Sequence, residues 1–287
     1  MTLRLLAVHA HPDDESSKGA GTYAYYRSRG AEVLIVSCTG GERGSILNEA
    51  LAGNPMAERD MAGLRRLEMA EAQRHLGVEH RWLGYQDSGM NDDGSVPPHS
   101  FADIPVEISA EPLVRVIREF RPQVLITYDE NGGYPHPDHI RTHAVSLEAY
   151  RAAADATRYP DAGAAWQIDK LYYDRIFNLE RFDAMFLELS VIEPDSALLE
   201  PLGDARDWLK DYPKLATTHV PVGDFLDVRD AALRSHASQV APNSSFFFWP
   251  NELVREAWPF EDFQLVESKV DTEMPESDLF AGVKDEA

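Results

Sequence analysis

The sequence contains one cysteine, Cys38, among 287 residues. A single thiol excludes an intramolecular disulfide framework and is compatible with a reducing compartment. Because Cys38 lies in an apolar run, we interpret it as a buried side chain without a chemical role. The N-terminus also lacks the basic region and the long apolar core of a signal peptide. The sequence therefore predicts a cytoplasmic protein.

Basic residues are few, with 27 Lys and Arg against 49 Asp and Glu and a formal net charge of −22. Such an excess of negative charge repels phosphate backbones and anionic membrane surfaces. No run approaches the roughly 18 to 20 apolar residues of a membrane span. We therefore expect neither nucleic acid nor a membrane as a partner, whereas a homo-oligomer remains compatible with the sequence.

Hydrophobic, aromatic and charged residues make up 44%, 10% and 26% of the chain, which is the ordinary range for a folded globular protein. No internal repeat or flexible linker divides it. We expect one catalytic domain over residues 1–266, with a core at about 1–150 and a C-terminal elaboration at about 151–266. Residues 267–287 are rich in Asp and Glu and lack clear periodicity, which predicts a loosely held acidic tail.

Strand-like and helix-like segments alternate in the first half of the chain. Short apolar runs typical of strands buried on both faces of a parallel sheet occupy residues 3–8, 32–38 and 124–128. Helices are predicted at residues 16–29, 61–76 and 111–120. This alternation predicts an α/β fold, a Rossmann-like doubly wound and mostly parallel sheet with helices on both faces. Ligands bind such sheets beyond the carboxyl ends of the strands.

Beyond residue 150 the pattern is less regular. Strands are predicted at residues 170–174 and 216–220, a helix at 225–236, and an aromatic-rich segment that packs on the body at 245–255. These segments form the predicted C-terminal elaboration.

A first polar motif, His-Pro-Asp-Asp-Glu at residues 11–15, directly follows the first predicted strand. Adjacent carboxylates raise one another's pKa unless a cation is nearby, and a divalent metal is the strongest local cation. His11 and Asp14, three residues apart across a turn, can bind one ion, whereas Asp13 would point toward a water on that ion. Taken alone, the motif could instead be a helix N-cap with solvated carboxylates.

A second polar motif, His-Pro-Asp-His at residues 136–139, follows the third predicted strand and a Gly-Gly-Tyr segment. Pro137 is suited to begin a helix, which puts His139 in its first turn. The glycines allow a tight bend, so Tyr134 and His136 can project over the same sheet edge as His11. Taken alone, this motif could be a capped turn.

Together the two motifs predict two histidines and one aspartate around an open coordination position, as in catalytic zinc sites. Fe²⁺ can occupy such a set as well as Zn²⁺. An alternative pairs His139 with His143, as in HExxH zinc sites, but residue 140 is isoleucine, so the general-base glutamate is missing.

These residues resemble the LmbE/PIG-L superfamily of zinc-dependent deacetylases and amidases. The similarity runs from HAHPDDESSKGA through SCTGGERGSILN, LRRLEMAEAQRHLGV and YQDSGM to GGYPHPDH and HASQV. SSKGA and GGERGSILN resemble the mycothiol S-conjugate amidase branch. The resemblance implies hydrolysis of the amide of such conjugates to a mercapturic acid and glucosaminyl-inositol, in thiol detoxification or natural-product processing. The alternative within the same chemistry is an N-acetylglucosaminyl-inositol deacetylase.

The resemblance also implies roles for individual residues. The implied zinc ligands are His11, Asp14 and His139. Asp13 would act as general base, His136 as electrostatic or acid partner, and Tyr134 as a donor to the oxyanion. Either Asp13 or His136 could protonate the leaving amine.

Substrate contacts are also implied by the resemblance. Lys18 matches a lysine at which the amidase branch differs from the deacetylase branch, although it could be a solvated helix lysine. Arg65 and Asp87 match sugar- and inositol-binding positions, although Arg65 could instead pair with Glu68 on its own helix. Glu42 and Arg43 in the GGERGS loop could line the site, or that loop could cradle a phosphate.

Two interpretations from other classes remain. A nucleotide-binding module needs a glycine-rich turn after the first strand, but that turn is HPDDE here. A metal-binding regulatory protein without turnover would need the metal ligands but neither Asp13 nor Tyr134.

Overall fold

The computed structural model describes residues 2–284, and its centre is a seven-stranded sheet. The strands are β1 Arg4–His9, β2 Glu32–Thr39, β3 Glu79–Tyr85, β4 Val124–Thr127, β5 Lys170–Asp174, β6 Thr218–Pro221 and β7 Phe260–Ser268. Their spatial order is β3-β2-β1-β4-β5-β7-β6. The first five strands of that order are parallel, and β7 is antiparallel to both β5 and β6. The predicted doubly wound, mostly parallel sheet is confirmed.

Helices cover both faces of this sheet. They are α1 Asp14–Ser17, α2 Ala20–Ser28, α3 Pro55–Arg59, α4 Met61–Leu76, α5 Val106–Ser109, α6 Glu111–Phe120, α7 Pro137–Ala153, α8 Leu179–Ile192, α9 Leu199–Leu209, α10 Leu226–Ser235 and α11 Asn251–Ala257. Short 3₁₀ turns occupy Glu49–Leu51, Pro160–Ala162 and Gly223–Phe225. None of the helices within residues 2–284 is long and apolar enough to cross a membrane.

Strand β1 shows why the apolar runs are nearly continuous. Leu5 and Ala7 face the core beneath α2, α4 and α10, whereas Leu6 and Val8 face the core beneath α6 and α7. All four side chains are fully buried. A strand covered on both faces therefore favours apolar residues along most of its length.

The predicted helices 61–76 and 111–120 coincide with α4 and α6. Asp60 caps α4 by accepting a hydrogen bond from the Gly63 amide at 2.8 Å, which satisfies one of the free N–H groups of the first turn. The predicted helix 16–29 is divided into α1 and α2, because the backbone leaves helical geometry at Lys18 and Gly19.

Strand β7 and helices α8 and α9 were not anticipated from the sequence. β7 lies between β5 and β6 and carries the acidic residues Glu261, Asp262 and Glu267. Asp262 is 4% exposed, and hydrogen bonds from neighbouring side chains to its carboxylate offset the cost of its burial. Satisfied carboxylates inside a strand break the apolar pattern on which strand prediction depends.

The stretch expected to be a loosely held tail is instead packed in its described part, residues 267–284. Glu276 is buried in an ion pair with Lys170 and accepts hydrogen bonds from the Tyr172 hydroxyl at 2.7 Å and the Thr218 hydroxyl at 2.8 Å. Leu279 and Phe280 join the core. The acidic composition concealed these few anchors. Residues 285–287 lie outside the described residues.

Replacing Glu276 with glutamine is expected to lower the free energy of unfolding by about 3–5 kcal/mol, because the Lys170 ammonium would stay buried without its counter-charge. Both side chains of this pair are 0% exposed. Chemical denaturation of the variant measures the change. Exposed Glu273 supplies the matched control, Glu273→Gln, which should be close to neutral. A loss below about 1 kcal/mol for Glu276→Gln, the range of surface ion pairs, would contradict this role.

Candidate active site

Both polar motifs follow strands at the centre of the sheet. β1 pairs with β2 on one side and with β4 on the other, so the strand order reverses between β1 and β4. A cavity of about 630 Å³ lies at the carboxyl ends of these two strands. Nine of the predicted site residues line it: His11, Asp13, Asp14, Lys18, Arg43, Arg65, Asp87, Tyr134 and His136. A crevice at such a reversal is the expected binding position in a doubly wound sheet.

The three predicted metal ligands lie together beside this cavity. His11, Asp14 and His139 are all buried, and each offers a ligand atom within 4.8 Å of the others. The Asp14 Oδ2 atom lies 3.4 Å from His139 Nε2 and 3.6 Å from His11 Nδ1. Two imidazoles around one carboxylate form a donor set that suits a divalent transition metal.

The hydrogen bonding of His139 leaves one ring nitrogen available as a ligand. Its Nδ1 lies 2.9 Å from the Gly132 carbonyl, which can only accept, so Nδ1 carries the hydrogen. Nε2 is buried without a hydrogen-bond partner among the described residues. Gly132 is required here, because φ is +72° and a Cβ atom would lie 2.5 Å from the His139 Cβ. The residues present therefore fit a metal ion.

A second group of possible ligands shares His11. His11, Asp87 and His136 also bring ligand atoms within 4.8 Å of one another. Asp138 was not predicted to have a role. It is fully buried, with Oδ2 3.3 Å from His11 Nε2 and Oδ1 unpartnered among the described residues. Burial alone would lower the pKa of His11, but hydrogen bonds to Asp138, Asp14 and Asp87 raise it well above the usual value. Carboxylates thus surround this imidazole.

Asp13 adopts a strained backbone conformation at the edge of the cavity. Its φ of 104° lies outside the common regions for a non-glycine residue. Such strain costs about 1–3 kcal/mol and is concentrated at functional sites. Arg65 donates a hydrogen bond to Asp13 Oδ2 at 2.9 Å. Burial raises the pKa of Asp13, and the charge of Arg65 opposes that rise.

Arg65 is held by the loop backbone and does not pair within its own helix. Its guanidinium donates to the Gly41 carbonyl at 2.8 Å and to the Pro12 carbonyl. Gly41 has φ of +63°, and a Cβ there would lie 1.9 Å from the guanidinium. Glu68, the suggested helix partner, instead accepts two hydrogen bonds from Ser238 at 2.7 Å. Arg65 therefore orients Asp13.

His136 and Tyr134 reach the cavity from the segment after β4. His136 caps α7, with Nδ1 accepting from the Asp138 amide at 3.1 Å, so a neutral ring carries its hydrogen on Nε2. Burial and the neighbouring His11 lower the pKa of His136 to about 4. Tyr134 is 41% exposed, and its ring centroid lies 4.4 Å from that of His139.

Lys18 is not the solvated helix lysine considered as its alternative. It is 7% exposed, lines the cavity and forms an ion pair with Asp14. The GGERGS loop is tied to Asp87: the Asp87 amide donates to Glu42 Oε1 at 2.9 Å, and the Arg43 amide donates to Asp87 Oδ2 at 3.0 Å. Glu42 consequently supports the site without lining the cavity, and the Arg43 amide is not free to cradle a phosphate.

The C-terminal part of the chain reaches the site indirectly. His236 is fully buried, with Nε2 2.7 Å from Glu15 Oε1. Although burial opposes it, the charge of His236 lowers the pKa of Glu15 to about 2. This buried pair holds the last residue of the HPDDE motif in place. The only sequence signal was the HASQV segment around His236.

Fold and site together define a doubly wound α/β protein with a His- and Asp-lined cavity at the reversal of strand order. Residues 6–150 match the model of the PIG-L family, described as GlcNAc-PI de-N-acetylase. The chain belongs to the PIG-L family, which confirms the superfamily resemblance of its motifs.

Full-length relatives extend this match. The chain is 49% identical to a mycothiol S-conjugate amidase of Streptomyces coelicolor, covering 99% of both chains. It is 39% identical to a 1D-myo-inositol 2-acetamido-2-deoxy-alpha-D-glucopyranoside deacetylase of Streptomyces scabiei, covering 98% of this chain and 90% of that protein.

Solved structures share the fold. N,N'-diacetylchitobiose deacetylase from Pyrococcus horikoshii has a TM-score of 0.62 at 19% identity, covering 92% of this chain and 83% of that one. The 4-carboxy-2-hydroxymuconate hydratase GalB from Pseudomonas putida has a TM-score of 0.63 at 17% identity, covering 95% of this chain and 99% of that one. A deacetylase and a hydratase on one fold mean that the reaction must be argued from the site.

Proposed function

We propose that this chain is a zinc-dependent amidase that hydrolyses the amide bond of mycothiol S-conjugates in the cytoplasm, with residues 1–266 as one catalytic domain. The observation that carries the proposal is the buried His11, Asp14 and His139 cluster with Asp13 beside it. The nearly full-length similarity to a mycothiol S-conjugate amidase supports the substrate class. The substrate is a small molecule, and the products are a mercapturic acid and glucosaminyl-inositol.

The proposed zinc ligands are His139 through Nε2, His11 through a ring nitrogen and Asp14 through its carboxylate. Bound zinc would lower the pKa of a coordinated water toward neutrality and polarise the amide carbonyl. Fe²⁺ is the other ion that this donor set suits. The Lys18 ammonium pairs with Asp14 Oδ1, whereas both histidines lie nearest Oδ2, so Lys18 can keep this contact while Oδ2 serves as the ligand.

Asp13 is the proposed general base. Arg65 holds Oδ2, which leaves Oδ1 to take the proton from the attacking water. The pKa of Asp13, raised by burial, makes it a better proton acceptor than a solvated carboxylate. Arg65 thus acts as a positioning residue.

His136 and Tyr134 are the proposed donors to the substrate carbonyl oxygen. The Nε2–H group of neutral His136 and the Tyr134 hydroxyl can both donate as negative charge develops on that oxygen. When the C–N bond breaks, the leaving amine gains one proton. Asp13, protonated by the water, is the group that supplies it, because a neutral His136 would have to become an imidazolate to do so.

Recognition of the sugar and inositol is assigned to polar groups around the cavity. Arg43 and Asp87 offer donors and acceptors to hydroxyl groups, and Glu42 fixes Asp87 from behind. Lys18 lines the cavity and could donate to a polar part of the conjugate. These contacts suit the glucosaminyl-inositol portion common to both proposed substrates.

The second candidate is removal of acetate from N-acetylglucosaminyl-inositol. It is favoured by the 39% identity to a deacetylase of Streptomyces scabiei over 98% of the chain. Both reactions use the same groups on the same amide carbonyl, so the candidates differ only in the acyl group that the cavity accepts.

A direct competition of substrates tests the proposal. We expect purified, zinc-loaded protein to cleave a bimane S-conjugate of mycothiol at least about tenfold faster, by kcat/KM, than it releases acetate from N-acetylglucosaminyl-inositol. Product amine measured under identical conditions gives both rates. The reverse ratio would establish the deacetylase, and absence of both activities would overturn the amide hydrolase.

A further inference from the structure

A second cavity of about 440 Å³ adjoins the candidate active site. Six residues line both cavities: Ser17, Ile176, Phe177, Leu233, Phe246 and Phe247. A ligand whose reacting amide lies beside the His11 cluster could therefore extend directly into the second cavity. No step proposed above uses this space.

The walls of the second cavity are rich in aromatic rings from the C-terminal part of the chain. Phe177 and Trp208 meet edge to face, with ring centroids 5.5 Å apart and planes at 87°. Trp208 is 53% exposed and Phe246 is 61% exposed, whereas Phe182 and Trp249 are partly buried in the same lining. Rings arranged in this way leave faces open for a further flat group.

One cation in this lining lacks an anionic partner. Arg181 forms no hydrogen bond or ion pair with the residues that the structure describes, and its Nε atom is buried without an acceptor. Desolvation lowers the pKa of Arg181. The other guanidinium in the lining, Arg229, is different because it already donates to Asp230 at 2.6 Å.

Two carboxylates, Glu261 and Asp262, act electrostatically on Arg181. Both already accept hydrogen bonds from other donors. Glu261 accepts from the Gly21 and Thr22 amides at 3.0 and 2.8 Å. Asp262 accepts on both oxygens from other side chains: Asn178, His219 and Trp258. Arg181 therefore retains donors for an external anion, and charge-assisted bonds from a guanidinium to a carboxylate are among the strong ones.

We propose that the second cavity binds the sulfur-linked group of the conjugate and favours aromatic groups that carry a carboxylate, which Arg181 recognises. The proposal rests on the amidase function given above. The cysteinyl carboxyl of a conjugate forms the scissile amide and carries no charge. The carboxylate that Arg181 recognises must therefore belong to the sulfur-linked group. Removal of an acetyl group would need no such cavity.

Two matched conjugates test the inference, the S-benzyl and the S-(4-carboxybenzyl) conjugates of mycothiol. Wild-type protein should prefer the carboxybenzyl conjugate, and Arg181→Met should lower that preference about tenfold or more, as expected for a lost hydrogen bond to a charged group. The change should fall on KM and not on kcat. Arg181→Lys should keep part of the preference.

Control variants separate this effect from general damage. Arg74→Met, on the exposed part of α4, should leave the preference unchanged. Trp208→Ala should lower kcat/KM for both aromatic conjugates relative to an S-methyl conjugate. It should not change the preference between the two aromatic conjugates. If Arg181→Met does not fold, Arg181→Lys and Trp208→Ala decide the question.

The outcomes distinguish the subsite from the function. If wild-type protein cleaves the conjugates but Arg181→Met lowers both rates equally, the subsite is wrong and the amidase function stands. If no conjugate is cleaved, the function fails, and quenching of tryptophan fluorescence by N-acetyl-S-(4-carboxybenzyl)cysteine and N-acetyl-S-benzylcysteine tests the subsite by itself. If the preference for the carboxybenzyl ligand over the benzyl ligand is the same in wild type and Arg181→Met, the subsite is wrong.

Discussion

Replacing Asp13 with asparagine is expected to lower kcat by about 10²–10⁴-fold, the usual contribution of a positioned general base. Asparagine is close to aspartate in shape and tolerates positive φ, so the backbone at φ 104° should persist. Its side-chain oxygen can still accept from Arg65, but its amide cannot take a proton from water. Steady-state kinetics on the S-conjugate, with zinc measured by elemental analysis, check the result.

The zinc content of Asp13→Asn carries as much information as its rate. We expect it to match wild type, because Asp13 lies outside both groups of candidate ligands. Asp92→Asn, on an exposed loop, is the matched control and should change neither quantity. A nearly normal rate would refute the general-base role, whereas loss of zinc would make Asp13 a ligand.

The sequence predicted the position of the site because strand ends are visible in it. β1 and β4 are buried on both faces, so the first polar residues after them must lie at the sheet edge. The two motifs could accordingly be assigned to one place, although 127 residues separate His11 in the first motif from Asp138 in the second. Two local patterns sufficed once the sheet was assumed.

The support of the site could not be predicted, since it depends on contacts between distant segments. Nothing local indicates that His236 holds Glu15, or that Ser238 donates to Glu68. The strain at Asp13 is likewise invisible, because aspartate rarely adopts such a φ without surrounding structure to impose it. Composition misled at residues 267–284, where a few buried anchors outweigh many acidic side chains.

The two groups of candidate ligands make different predictions for the histidines of the second motif. In the proposed site His139 binds zinc through Nε2 and His136 does not, whereas the group of His11, Asp87 and His136 would reverse these roles. The Nε2 atom of His139 is also buried without a hydrogen-bond partner among the described residues. Single alanine substitutions therefore separate the two arrangements.

His139→Ala is expected to lower zinc affinity by at least about 100-fold, which exceeds the usual effect of losing an outer hydrogen-bond partner of a ligand. Loss of the metal's charge stabilisation should lower kcat/KM by about 10³-fold or more. His143→Ala is the matched control one turn along α7, because its Nδ1 lies 3.0 Å from the Tyr128 carbonyl and outside both groups. His136→Ala should keep zinc and lose rate. If His136→Ala loses zinc while His139→Ala retains it, the metal belongs to the group of His11, Asp87 and His136, and Asp14 is not a ligand.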